Sequence, residues 1–161
     1  MKIVTIEKKE NEEFLRQPTK EVNFKKEDTK KLKKLVKDMR RKMHDADGIG
    51  LSANQIGLDK KLFVAQIPDE QGKPKFYAVI NPEITKMSKE TITLEEGCLS
   101  IPGSYGPVER AEKITLEGYG IDGKKLKLKA WGILARVFQH EVDHLNGTLF
   151  VDKATDVKSS E

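Results

Sequence analysis

At 161 residues and 18.2 kDa the chain is long enough to bury a core and too short for two comfortable domains, so a single domain spanning 1–161 is expected. A mean hydropathy of -0.59 and the absence of any apolar run near the roughly 18 residues that span a bilayer argue against a membrane protein. The lone cysteine excludes an internal disulfide, the opening MKIVTIEKKENEEF lacks the apolar core and cleavage site of a secretory signal, and a net charge of +4 permits an acidic partner without demanding one; a cytoplasmic location is expected.

Residues 30–48, KKLKKLVKDMRRKMHDADG, read as an N-terminal amphipathic helix, because Leu32, Leu35, Val36, Met39 and Met43 recur at helical spacing. Asp28 or Thr29 caps its start and Gly48 is expected to end it. Lys30, Lys31, Lys33, Lys34, Lys37, Arg40, Arg41 and Lys42 fill its other faces, which read either as solvated surface or as an electrostatic dock for RNA or a ribosome. From Leu62 to Lys129 the pattern changes to short β-branched or alternating runs, LFVAQI, KFYAVI, TITL, KITLEGYG and KKLKLKA, broken by Gly, Pro and Asn. These are expected strands, the last two joined as a hairpin at Asp122-Gly123.

A second helix, WGILARVFQHEVDHLNG, closes at Asn146-Gly147. Leu134, Phe138, Val142 and Leu145 form the stripe expected to face the core, while Ile133, Val137, His140 and His144 share a neighbouring face suited to a site. The tail from about residue 153 is expected to be flexible, with TDVKSSE fraying. Strands in one block between two helices imply an α+β fold, with mostly antiparallel short sheets around a central metal-binding helix.

His140 and His144 stand one helical turn apart and can reach one metal, with Glu141 beside it in the HExxH arrangement of metalloproteases, where the glutamate is general base. A catalytic site needs a third protein ligand and an open position. Downstream of His144 only Asp152 and Glu161 remain, so Cys98, in EGCLS, is the better candidate, although a lone cysteine also reads as a small buried hydrophobe. A zincin using Asp152 or a C-terminal acid, and a closed structural site using His44 as fourth ligand, remain as alternatives. GIGLSANQIG, residues 48–57, signals tight turning on glycines; a phosphate loop is disfavoured because the lysine that such a loop needs is missing.

GIGLSANQIG, EGCLS and QHEVDHLNG, in that order, resemble the three signature motifs of the peptide deformylase family, and the resemblance runs from about FLRQPTKEV to Gly147. It implies a hydrolase that removes the formyl group from the N-terminal formylmethionine of new polypeptides. It further implies Cys98, His140 and His144 as ligands of one divalent metal with a water as fourth ligand, and Glu141 as general acid/base. Gln55 and the backbone N–H of Leu99 would stabilise the oxyanion, and the Gly50 carbonyl would lie against the substrate. Fe²⁺ is the ion implied in the cell, with Zn²⁺, Ni²⁺ or Co²⁺ in preparations.

By position, Ile49, Leu94, Ile133 and Val137 are expected to wall an apolar pocket for methionine, with Glu96 and Gly97 also at the substrate. Arg110 pairs with Glu96 or Asp143, or else contacts the peptide backbone; His44 reads as a cation at a helix C-terminus. The expected partners are N-formylmethionyl nascent peptides and, through residues 30–42, the ribosome, with no DNA or membrane partner and a monomeric state. Ser52 stands where the family usually has alanine, which touches local packing. The chain stops soon after the second helix, where many bacterial members continue into a ribosome-docking helix, so that mode of docking is not expected.

Overall fold

Asp28 Oδ1 accepts from the Lys30 N–H at 2.9 Å and so starts the longest helix of the computed structural model, which describes residues 1–160. In chain order the helices are α1 (Lys9–Leu15), α2 (Thr29–Asp45) and α3 (Gly132–Leu145). The strands are β1 (Gly50–Ser52), β2 (Leu62–Pro68), β3 (Pro74–Met87), β4 (Thr91–Cys98), β5 (Ile101–Ala111), β6 (Lys113–Tyr119), β7 (Lys125–Trp131) and β8 (Lys158–Ser159). They form a five-stranded sheet of order β1-β2-β3-β6-β7 and a three-stranded sheet of order β4-β5-β8, antiparallel throughout. The fold is α+β, as the strand block between two helices implied.

Alternation in the strands assigns the two faces of the larger sheet. Phe63, Ala65, Val79, Ile114, Leu116 and Ala130 pack with Phe138, Val142 and Leu145 of α3. Leu62, Val64 and Ile80 point the other way and meet Leu32, Val36, Met39 and Met43 of α2. Burial of such side chains contributes about 1.5 to 3 kcal/mol each, which is what seats both helices. Leu134, expected in the α3 stripe, is only partly buried; the fully enclosed position beside it belongs to Ala135.

Several local expectations change. The left-handed residue that ends α2 is Asp47 (φ 55°), not Gly48: Asp47 N–H bonds His44 O and Gly48 N–H bonds Met43 O, a Schellman closure. A Cβ at Gly48 would sit 2.9 Å from Leu99 Cδ1, so any larger residue there must displace the end of that side chain. The β6–β7 hairpin turns through a longer loop than two residues, with Gly123 at φ 79° and Gly123 N–H bonded to Gly120 O. Part of the tail expected to fray is paired: Lys158 and Ser159 lie against Tyr105 and Ser104, and Ser160 N–H donates to Gly103 O, while Glu161 lies outside the described residues. Helix α1 and strands β1, β5 and β8 have no counterpart among the elements expected from sequence.

α3 closes with Gly147 at φ 83°, its N–H on His144 O, and a Cβ at this residue would lie 2.4 Å from Arg16 O. Left-handed strain and a backbone clash therefore coincide. Gly147→Ala is expected to lower stability by about 2 to 4 kcal/mol in urea unfolding, and a loss below about 0.5 kcal/mol would show that neither constraint operates.

Candidate active site

Cys98 is the last residue of β4, where the β4–β5 register shifts between Gly97 and Cys98. α3 brings His140 and His144 to the same point. Cys98 Sγ lies 3.2 Å from His144 Nε2, which is 3.1 Å from His140 Nε2, and the three donor atoms all fall within 4.8 Å of one another. One sulfur and two imidazole nitrogens converging this closely fit a divalent transition ion. Asp152 is elsewhere, bonded to Arg16 at 2.9 Å, and exposed His44 lies outside the cluster, so neither offers an alternative ligand among the described residues; Glu161, the C-terminal acid, lies outside them.

A buried carboxylate orients one imidazole. Glu96 Oε1 lies 2.9 Å from His140 Nδ1, and because a carboxylate only accepts, Nδ1 carries the proton and Nε2 faces the cluster. Arg110 grips Glu96 with Nε and Nη2, both at 2.9 Å, and reaches Asp143 with Nη1 at 2.6 Å. Two of the roles considered for Arg110 are therefore filled at once, and its guanidinium is too enclosed to meet a peptide backbone. Arg136 adds a bond to Glu96 Oε2 at 2.6 Å and donates to the carbonyls of Val108 and Ile92.

Electrostatics follow from this packing. Burial pushes the Glu96 carboxyl up, but Arg110 and His140 outweigh it and hold it well below the usual range. Burial likewise opposes ionisation of Cys98, yet the imidazoles of His144 and His140 bring the thiol far below its ordinary value. His140 is lowered by burial and raised more strongly by Cys98 and Glu96, to about 10. The sulfur and the carboxylate thus make the spot a sink for positive charge, a demand that a divalent cation meets.

Glu141 is 3% exposed, and burial raises its carboxyl above the ordinary value. Its Oε2 and His144 Nδ1 are the two buried side-chain polar atoms with no hydrogen-bond partner among the described residues. Gly50 gives Glu141 its room, since a Cβ there would lie 2.6 Å from Oε1. Gln55, on the short 3-10 turn Ala53–Ile56, is oriented by its oxygen: Oε1 accepts from the Ser52 N–H at 3.0 Å. Its Nε2 then points to the cluster, 3.5 Å from Cys98 Sγ and 3.1 Å from Ser100 Oγ. The Ser52 hydroxyl lies 2.7 Å from Asn54 Oδ1, and Asn54 Nδ2 donates to His144 O at 2.7 Å, tying this turn to α3.

A cavity of about 640 Å³ opens over the cluster and is bordered by Gln55, Cys98, Leu99, His140 and Glu141. Ile49, Gly50, Leu94, Glu96, Gly97, Ile133 and Val137 border it too; His144 does not, lying beneath its floor. Ile49, Leu94 and Ile133 are 50%, 42% and 52% exposed, an unusual display of large aliphatic groups around one opening that suits an apolar ligand. The Glu96 carboxylate is occupied by Arg110, Arg136 and His140, so its place at the cavity wall is that of a support. Sequence reading missed Arg136, Gln139, Ser100 and Tyr105. Gln139 clamps Ala111 through both its N–H and its carbonyl, and Tyr105 borders the cavity opposite Gly97. Two long polar side chains amid the apolar residues of α3 were the available signal for Arg136 and Gln139.

The sequence model of the family described as polypeptide deformylase matches residues 1–160. A peptide deformylase of Halothermothrix orenii is 45% identical over 129 residues, 80% of this chain and 81% of the relative. One from a Synechococcus species is 45% identical over 145 residues, 90% of this chain and 71% of the relative. Among solved structures, a probable peptide deformylase from a Synechococcus phage superposes with a TM-score of 0.84 at 40% identity, covering 95% of this chain and 99% of its own. The peptide deformylase of Thermotoga maritima gives a TM-score of 0.83 at 36% identity over 96% of this chain and 97% of its own.

If Glu96 aims His140, Glu96→Gln weakens Co²⁺ binding by about 10- to 100-fold in a chelator competition. Unchanged affinity in a folded variant would remove that orienting role.

Proposed function

The chain is an enzyme of the peptide deformylase family, and we propose that it removes the N-formyl group from the formylmethionine of newly made polypeptides, releasing formate. The observation that carries this reading is the unpartnered Glu141 carboxylate at the cavity wall, beside three converging metal donors. Cys98, His140 and His144 would hold a divalent ion, Fe²⁺ in the cell and Zn²⁺, Ni²⁺ or Co²⁺ in preparations. When bound, such an ion supplies Lewis acidity, polarising a carbonyl and bringing the pKa of water toward about 7.

The protein's own groups do the rest. Glu141, buried and with Oε2 unbonded, takes the proton of the attacking water and returns it to the departing amine, so one carboxyl serves as base and then acid. Gln55 Nε2, fixed by the Ser52 N–H, and the Leu99 N–H meet the oxyanion as charge develops. Because Gln55 is held before substrate arrives, little reorganisation is needed at the moment of reaction. Ile49, Leu94, Ile133 and Val137 enclose the methionine side chain. β1 is an edge strand of its sheet, which supports placing the substrate backbone along Gly50, with Gly97 on the opposite wall.

The protein would act as a one-domain monomer in the cytosol. No helix of the described residues is long and apolar enough to cross a membrane. The exposed lysines and arginines of α2, residues 30–42, would contact the ribosome. Replacing Lys30, Lys33, Lys37 and Arg41 by glutamine is expected to reduce ribosome cosedimentation several-fold; unchanged pelleting would return that face to plain solvated surface.

Assay of formate release from formyl-Met-Ala-Ser tests the chemistry. Glu141→Gln should abolish turnover while a divalent ion stays bound, and Gln55→Ala should lower kcat/KM by about 10²- to 10³-fold. Retained activity in the Glu141 variant would overturn the mechanism.

A further inference from the structure

The half of the larger sheet built from β3, β6 and β7 presents a second surface, remote in composition from the catalytic cavity. Ile114, Leu116 and Ala130 turn toward α3, so the alternating residues Lys113, Thr115 and Glu117 of β6 and Lys125, Lys127, Lys129 and Trp131 of β7 face the other way. α2 and the segments packed with it cover this same face over β2, the first half of β3 and the Tyr119 end of β6, through Leu62, Val64, Ile80 and Tyr119. Over β6 and β7 the lysines and Trp131 are exposed, Trp131 by 57%.

Register then concentrates one chemistry. Trp131 pairs with Lys113, while Lys129, Thr115 and Lys86 stand in line across β7, β6 and β3. Around them lies a cavity of about 470 Å³ whose border includes Lys86, Met87, Lys113, Lys129 and Trp131 and no carboxylate. None of Lys86, Lys113, Lys125, Lys127 and Lys129 forms an ion pair among the described residues. The acidic groups of the face, Glu117 and Glu83, are paired with each other in register farther along, opposite Lys127.

We propose that this face binds single-stranded RNA, a base stacking on Trp131 and the phosphates running over the lysines. Single strands are held by this pairing of an aromatic platform with a basic track. Lys125, Lys127 and Lys129 repeat every two residues along one strand, about 6.8 Å apart, which places ammonium groups in a line as an extended phosphate backbone requires. An acidic protein would use the lysines and leave the indole unexplained; a lipid surface would engage Trp131 but has no use for a linear track. The inference does not depend on the catalytic reading, and formate release serves only as a check that variants are intact.

Trp131 is the single tryptophan of the chain, so its fluorescence reports the contact directly. An oligouridylate of about twelve nucleotides should quench it in a saturable titration of the full chain at about 50 mM salt. By anisotropy of a labelled oligonucleotide, Trp131→Ala should weaken binding about tenfold and Trp131→Phe much less. The triple change of Lys86, Lys113 and Lys129 to glutamine should flatten the salt dependence by about 2 in log–log slope. Formate release should stay unchanged in all three. Absence of quenching, equal affinity after Trp131→Ala, or quenching by phosphatidylglycerol vesicles but not by the oligonucleotide would each overturn the proposal.

Discussion

Glu96 accepts from Arg110, Arg136 and His140 at once, so one buried carboxylate fastens β4 to β5 and both to α3. Asp143 closes the circuit by accepting from Nη1, the Arg110 nitrogen that Glu96 does not engage. Each carboxylate is matched by a guanidinium, and Asp143 also by Lys153 at 3.0 Å, so neither acid is buried without an opposite charge, which is the condition under which such groups tolerate burial. Relative to a well-packed apolar substitute the network adds little net stability, whereas removing one member leaves a stranded charge at about 3 to 5 kcal/mol. Its value is geometric, because it fixes where the end of β4, and hence Cys98, stands relative to the histidines.

From that constraint the rest of the site follows. α3 lies between the two sheets, anchored on one side by Phe138, Val142 and Leu145 and on the other by Arg136, Gln139 and His140. The 3-10 turn that carries Gln55 is bonded to α3 through Asn54 and to the β4–β5 turn through Ser100. Gln55, Cys98 and the helix histidines therefore belong to one rigid arrangement, although 43 residues separate the first two. Glycine is favoured where backbone approaches a placed side chain, as at Gly50 beneath Glu141, whose Oε1, Cδ and Cγ would all crowd a Cβ.

Sequence carried the parts whose physics is local. The i,i+4 spacing of His140 and His144, the Leu32–Met43 stripe, the Asp28 cap and the turn at Gly123 follow from periodicity and turn chemistry alone. Cys98 was legible as the better third-ligand candidate, being the one thiol of the chain, while Asp152 and His44 stayed open until the resemblance implied the full set. Other features depend on distant partners and were not. β5 contains Pro102, Pro107, Gly103 and Gly106 and reads as a loop, yet pairs with β4 over most of its length. Arg136 and Gln139 look like solvent-facing residues, and are buried because β4 and β5 bring carbonyls that their N–H groups can reach. The placement of β8 depends on an open edge at Ser104–Tyr105 that no local pattern announces.

The central claim is that one thiolate and two imidazoles from separate segments hold the same ion. X-ray absorption on the Zn²⁺-loaded protein measures this without reference to turnover. One sulfur scatterer at about 2.3 Å and two imidazole nitrogens at about 2.0 to 2.1 Å are expected, with the sulfur lost in Cys98→Ser. A spectrum of nitrogen and oxygen alone in the unaltered protein would contradict it.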